Sequence, residues 1–138
     1  MISIIGVGNA ASKIAEKFKS QNNYDVYLLG SNYENSEKSF KLNSYEKPEQ
    51  YEQNIPDLGS FFKDVKDVVQ VFVMGSSYSS NYVLGVLEQI KDKKIEVFYI
   101  KPDTELLTGV PKLVENAVYG VLQEYARSGL LNSMYLMC

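Results

Sequence analysis

Apolar positions fall into two alternating patterns along this chain. Short, almost continuous apolar runs occur at Ile2–Val7 (ISIIGV), Tyr24–Leu29 (YDVYLL), Val71–Met74 (VFVM), Ile95–Ile100 (IEVFYI) and Met134–Met137 (MYLM). Runs of this length, bounded by Gly, Pro or polar turns, read as strands buried in a parallel sheet. Between them the period changes to that of a helix. Ala10, Ile14, Ala15 and Phe18 predict a helix starting near Asn9. Tyr82, Val83, Leu84, Val86, Leu87 and Ile90 predict one reaching about Lys91. Leu113, Val114, Ala117, Val118, Val121, Leu122 and Tyr125 predict a long helix that begins near Pro111 and is ended by Gly129. The middle, residues 31 to 56, is polar and rich in tyrosine. Phe40–Leu42 reads there as a short edge strand, and Glu49–Ile55, between Pro48 and Pro56, as a helical turn. Asp57 is placed to cap a short helix through Val65 with Leu58, Phe61, Phe62 and Val65 inward. The order predicts an α/β fold, a three-layer, doubly wound, mostly parallel sheet of Rossmann-like type. Strands ending at Val7, Leu29, Met74, Ile100 and Met137 would then share one edge, with Gly8 and Gly75 close together on it.

Composition narrows the classes. The 138 residues suit one domain, 1–138, with a real core, and the 45% hydrophobic fraction is that of a globular protein. A net charge of −3 leaves no electrostatic footprint for nucleic acid or an anionic membrane. No apolar run reaches the length of a membrane span, and the N-terminus lacks the flanks of a signal peptide. The one cysteine, Cys138, has no internal partner, which points to a reducing compartment and a cytoplasmic location. Histidine is absent, which excludes His-based triads, general bases and metal ligands. The chain stops on a strand-like run, so a fragment of a longer parent is expected.

The chemistry lies in two turns. After the first strand, Gly6, Gly8, Asn9 and Ala10 join strand to helix, where glycines permit a tight turn and close backbone approach. Ala11 stands where a dinucleotide fingerprint has its third glycine. The second strand is closed by Gly30-Ser31-Asn32, without the acid that would hold a ribose, which disfavours NAD. The second turn, Gly75-Ser76-Ser77-Tyr78-Ser79-Ser80-Asn81, separates a buried strand from a helix start. Orphan N–H groups and hydroxyls there suit a weak anion site, while Ser79, Ser80 or Asn81 can equally serve as a helix cap.

Together these segments resemble the tubulin/FtsZ superfamily. VFVMGSSYSSN is similar to the strand and glycine-rich signature loop of that family, with Gly75 at its first glycine and Ser80 at its Ser/Thr. Ser76, Ser77, Ser79 and Asn81 stand in glycine positions, and Tyr78 replaces threonine. IIGVGNAASKIAEKF resembles the family's first strand, glycine loop and Asn-Ala helix start, carried by Gly6, Gly8, Asn9 and Ala10. VFYIKP, the long helix and Asn132–Met137 resemble later segments, so the likeness spans nearly the whole chain. It implies the GTP- or GDP-binding half of a filament-forming, cytoskeletal protein, with Mg2+ accompanying the nucleotide and self-association through a longer parent chain. The family's γ-phosphate loop, base-contacting helix and acidic catalytic loop are not found here, so the resemblance implies no hydrolysis by this chain alone. Two alternatives stay open: a pseudo-GTPase assembly module without nucleotide, and a Rossmann-type dinucleotide binder. The eleven tyrosines read as amphipathic rim residues. Glu46, Glu49, Asp64 and Asp67 read as solvated carboxylates.

Overall fold

The computed structural model describes residues 1–75, 81–100, 110–129 and 131–137, without the side chains of residues 48, 52, 110–118 and 137. Its elements, in chain order, are β1 (Ile2–Val7), α1 (Asn9–Glu16), β2 (Tyr24–Gly30), β3 (Ser39–Lys41), α2 (Pro48–Gln53), β4 (Val68–Met74), α3 (Val83–Gln89), β5 (Lys94–Ile100), α4 (Val110–Ser128) and β6 (Ser133–Met137). The strands form one six-stranded sheet in the order β3-β2-β1-β4-β5-β6. Every pairing is parallel. This is a Rossmann-like α/β architecture, as the alternation of periods predicts. All strands therefore end on one edge. Strand order reverses between β1 and β4, which makes the gap beyond their carboxyl ends the switch point of the sheet.

Two cores lie on the two faces. Ile4, Val26, Leu28 and Phe72 turn one way and pack with Ala11 and Ala15 of α1. Ile5, Val7, Tyr27, Leu29, Val69, Val71, Val73, Ile95, Val97 and Tyr99 turn the other way. They meet Tyr51 of α2, Val83, Val86 and Leu87 of α3, and Leu122 of α4. Right-handed crossovers account for the division. The chain moves from β1 outward to β2 on one face, and from β4 outward through β5 to β6 on the other.

The predicted boundaries shift by up to three residues, the most at β4, which starts at Val68. β2 extends to Gly30, β3 ends at Lys41, α2 starts at Pro48 and ends at Gln53, and α3 ends at Gln89. One prediction fails. Residues 57–65 hold no helix: 59–64 form turns, and 57, 58 and 65 are irregular. Leu58 accepts the one i→i+4 bond there, from Phe62 N–H at 2.9 Å, and the following bonds are of i→i+3 type. The Asp57 carboxylate accepts from Gly59 N–H at 3.0 Å. That local turn, with Gly59 and Ser60 next in line, competes with the costly first turn of so short a helix. The predicted inward set holds nonetheless: Leu58, Phe62 and Val65 are buried, and Phe61 packs against them. Among the described residues, no helix is long and apolar enough to cross a membrane.

Candidate functional site

The site grows from the end of β1. Gly6 lies in the strand beneath α1, where an added Cβ would come within 2.6 Å of Ser12 Cα. The helix can lie this close because Gly6 carries no side chain. Ser12, fully buried, occupies the contact: its Oγ is 3.0 Å from Gly6 O and 2.8 Å from Leu29 O, and accepts from Leu29 N–H at 3.2 Å. One hydroxyl thus ties the first turn of α1 to both β1 and β2. Ala11, at the expected third glycine position, is also fully buried. A methyl group is tolerated there.

Gly8 makes the turn. Its φ of 93° and ψ of 163° belong to a region open almost only to glycine. Its N–H donates to Leu29 O at 2.8 Å, and its carbonyl accepts from Ser12 N–H at 2.9 Å. No side chain caps α1. The amides of Asn9, Ala10 and Ala11 have no partner within the helix, by the geometry of any α-helix start. They face the carboxyl edge of the sheet, and the positive end of the helix dipole adds to them. Ala10 is exposed on this first turn.

Asn9 does something the sequence did not announce. Its Nδ2 donates to Ser31 Oγ at 2.8 Å, and its Oδ1 accepts from Asn32 N–H at 2.9 Å. The carboxamide therefore clamps the turn after β2 to the turn after β1. Gly30 admits it, since a Cβ there would lie 2.2 Å from Asn9 Oδ1. The signal was present in Gly30-Ser31-Asn32, which was read only as the lack of an acid. Next to the clamp, the Tyr33 hydroxyl donates to Glu16 Oε1 at 2.6 Å. Burial, and then the bond to this carboxylate, push the Tyr33 phenol well above its ordinary pKa.

Across the switch point stands Gly75. Val7 is registered with Val73, so Gly8 and Gly75 leave neighbouring strands on the same edge. Gly75 is buried, and its N–H donates to Ile100 O at 2.9 Å. The next predicted site residues, Ser76, Ser77, Tyr78, Ser79 and Ser80, lie outside the described residues. Asn81 is described and is buried. It does not hold the cap position of α3: Tyr82 does, with no side-chain cap bond.

The third side of the edge is built from tyrosines. Tyr45 and Tyr51 meet edge-on at 5.3 Å, and Tyr51 and Tyr82 at 5.0 Å. The Tyr51 hydroxyl lies 3.1 Å from Tyr45 N and 3.2 Å from Tyr45 O, while the Tyr82 hydroxyl donates to Asn43 O at 2.9 Å. Residues 43–45, just after β3, are thereby fastened to the start of α3. Burial first, and the neighbouring Tyr45 second, raise the Tyr82 pKa. These rings are structural anchors of the loop, not only the rim residues that composition suggested. Tyr27 is different again. Its ring lies under the Lys38 ammonium at 4.3 Å, and Lys38 also bonds Asp25 at 2.8 Å. Burial works against the Lys38 charge, but the bonds to Asp25 and Tyr27 outweigh it and raise its pKa.

The described part of the edge thus offers backbone amides, a carboxamide and hydroxyls. Asn9, Ser31 and Asn32 bring no carboxylate. Among the described residues, no group of three or more Asp, Glu, His or Cys side chains converges as a metal site would require. Such an edge can receive an anion by hydrogen bonding. In comparisons with known proteins, no family model and no curated protein matches this chain.

Proposed function

We propose that the chain is a mononucleotide-binding module: the GTP- or GDP-binding half of a divergent tubulin/FtsZ-like filament protein of the cytoplasm, not hydrolytic on its own. The observation that carries this reading is Gly8, held at φ 93° at the switch point of the sheet, directly before an uncapped helix. Phosphate oxygens would lie against the amides of Asn9, Ala10 and Ala11, with Gly75 across the gap. The hydroxyls of Ser76, Ser77, Ser79 and Ser80 and the side chain of Asn81 are the further donors this reading assigns, with Tyr78 at the rim. Mg2+ would come with the nucleotide, held by phosphate oxygens and water, since it binds readily with few protein ligands. A few charge-assisted bonds of about 1.5–3 kcal/mol each, less the cost of association, correspond to micromolar-to-millimolar affinity. Assembly would require surfaces from a longer parent chain, so this chain should not polymerise with GTP.

One observation favours the second reading, a pseudo-GTPase module. The Asn9 carboxamide is engaged by Ser31 and Asn32, and the loop after β3 is fastened by Tyr51 and Tyr82. These polar groups are committed to protein partners, which leaves them less available to a nucleotide.

Calorimetry with GTP, GDP, ATP and NAD, together with NMR titration, separates the readings. Saturable shifts of the amides of residues 6–10 and 75–81 with GTP or GDP are expected. Tighter binding of NAD would establish the dinucleotide reading instead. Unmoved amides at millimolar GTP and GDP would leave the pseudo-GTPase module.

A further inference from the structure

The edge beyond β1 has two sides, because the strand order places β2 on one side of β1 and β4 on the other. In a dinucleotide-binding sheet the β2 side holds a sugar. An acidic residue about twenty positions past the glycine turn, at the carboxyl end of β2, bonds the hydroxyls of a ribose. Counted from Gly8 and Ala11, that place falls here on Gly30, the last residue of β2, or on Ser31 after it. Both are committed to other parts of the protein.

Gly30 is buried, and the space above it is filled. A Cβ built there would lie 2.2 Å from Asn9 Oδ1, 3.1 Å from Asn9 N and 3.1 Å from Tyr33 Cδ2. Non-bonded atoms rest about 3.5–4.0 Å apart, so the place has no room for a methyl group, and less for a carboxylate or a sugar ring. Two side chains form this roof, and each is held from a second side. The Asn9 carboxamide is fixed by Ser31 Oγ at 2.8 Å and by Asn32 N–H at 2.9 Å. The Tyr33 ring packs on the core beneath α1, and its hydroxyl donates to Glu16 Oε1 at 2.6 Å. Asn9 and Glu16 are the first and last residues of α1, so the roof joins both ends of that helix to the turn after β2.

We infer that Asn9 and Tyr33 are specificity-determining residues of the switch-point site: they close its β2 side to the ribose of a dinucleotide and leave a mononucleotide as the ligand class. The inference rests on the phosphate position proposed above, against the amides that open α1. From there a ligand cannot turn a sugar over β2, so a second sugar and base have no place on that side. The missing acid removes only a hydrogen bond from a ribose. The roof removes the volume that the ribose needs, and it also occupies Ser31 Oγ and Asn32 N–H, the polar groups left there to meet it.

The test opens the roof. Asn9→Ala with Tyr33→Ala clears the space and frees Ser31 Oγ and Asn32 N–H for ribose hydroxyls. NAD, ADP-ribose and GDP are titrated by NMR into the isotope-labelled parent, each single variant and the double variant. In the parent, NAD and ADP-ribose should leave the amides of residues 28–33 unmoved. In the double variant both should shift those amides and bind at least ~tenfold more tightly than in the parent, with smaller gains in the single variants. The single variants carry the test should the double variant unfold. NAD shifting residues 28–33 of the parent, or no gain in any folded variant, would overturn the inference. GDP keeps the two readings apart. A parent that ignores GDP while the double variant gains NAD upholds the closure and ends the mononucleotide reading. A parent that binds GDP while no variant gains NAD ends the closure alone.

Discussion

Replacing Gly8 with alanine separates this turn from an ordinary loop. An L-residue at φ 93° and ψ 163° suffers strain of about 1–3 kcal/mol. Escape by rotating the backbone would sacrifice the bond from Gly8 N–H to Leu29 O and the bond from Ser12 N–H to Gly8 O. Each contributes about 1 kcal/mol, so relaxation gains little over strain. The cheaper of the two routes sets the loss, at about 1–2 kcal/mol. Urea unfolding followed by circular dichroism reads this as a lower midpoint with an unchanged slope. Gly120→Ala is the internal control. Gly120 lies inside α4 with nothing within 4 Å of the added methyl group, so alanine should stabilise by about 0.5–1 kcal/mol. The two substitutions add the same atom with opposite signs. A Gly8→Ala protein as stable as the parent would refute the assigned backbone, and with it the aim of the Asn9, Ala10 and Ala11 amides.

Other outcomes follow from the same contacts. Gly6→Ala should cost about 1–3 kcal/mol in chemical denaturation, because its Cβ would meet Ser12 Cα and α1 must lift from β1. Ser12→Ala should cost about 1–3 kcal/mol and speed amide exchange at Leu29, whose N–H loses its hydroxyl partner. Alkaline pH should unfold the protein steeply. Tyr27, Tyr33, Tyr82 and Tyr125 all have raised pKa values in the fold, led in each case by burial. The folded state holds protons that the unfolded state releases near pH 10. The resulting stability is complete below that pH and is lost as pH rises above it, by up to about 1.4 kcal/mol per pH unit for each such tyrosine. Tyr82→Phe should flatten the alkaline slope by one proton. An identical slope would show that Tyr82 titrates freely in the fold.

The sheet was readable because β1, β2 and β4 are almost continuously apolar, broken by Ser3, Asp25 and Gln70, and the helices between them carry a different period. Gly6 and Gly8 were readable for a related reason: a glycine pair between a strand and a helix admits few other uses. The segment 57–65 was misread because inward spacing of Leu58, Phe61, Phe62 and Val65 is satisfied equally by a helix and by successive tight turns. Periodicity reports which side chains are buried. It does not report whether the i→i+4 ladder closes. Local side-chain competition, here from Asp57, decides that.

Tertiary partners were the part that spacing could not show. The spacing singles out Asn9 as a ligand contact but does not show that its carboxamide holds Ser31 and Asn32, more than twenty residues away. The tyrosines were assigned to the rim by composition, but Tyr51 and Tyr82 fasten one loop because β3 and β4 lie on either side of β2 and β1. β5 carries a further lesson. IEVFYI looks like a strand buried on both faces, although one charged residue interrupts it. In the fold, Glu96, Phe98 and Ile100 share the face that no described helix covers, and Ile95, Val97 and Tyr99 share the covered one. Aromatic side chains supply the same hydropathy whether or not a helix covers them. The interrupting glutamate marks the less covered face of that strand, where it accepts hydrogen bonds from Gln70 and Ser133 on the two neighbouring strands.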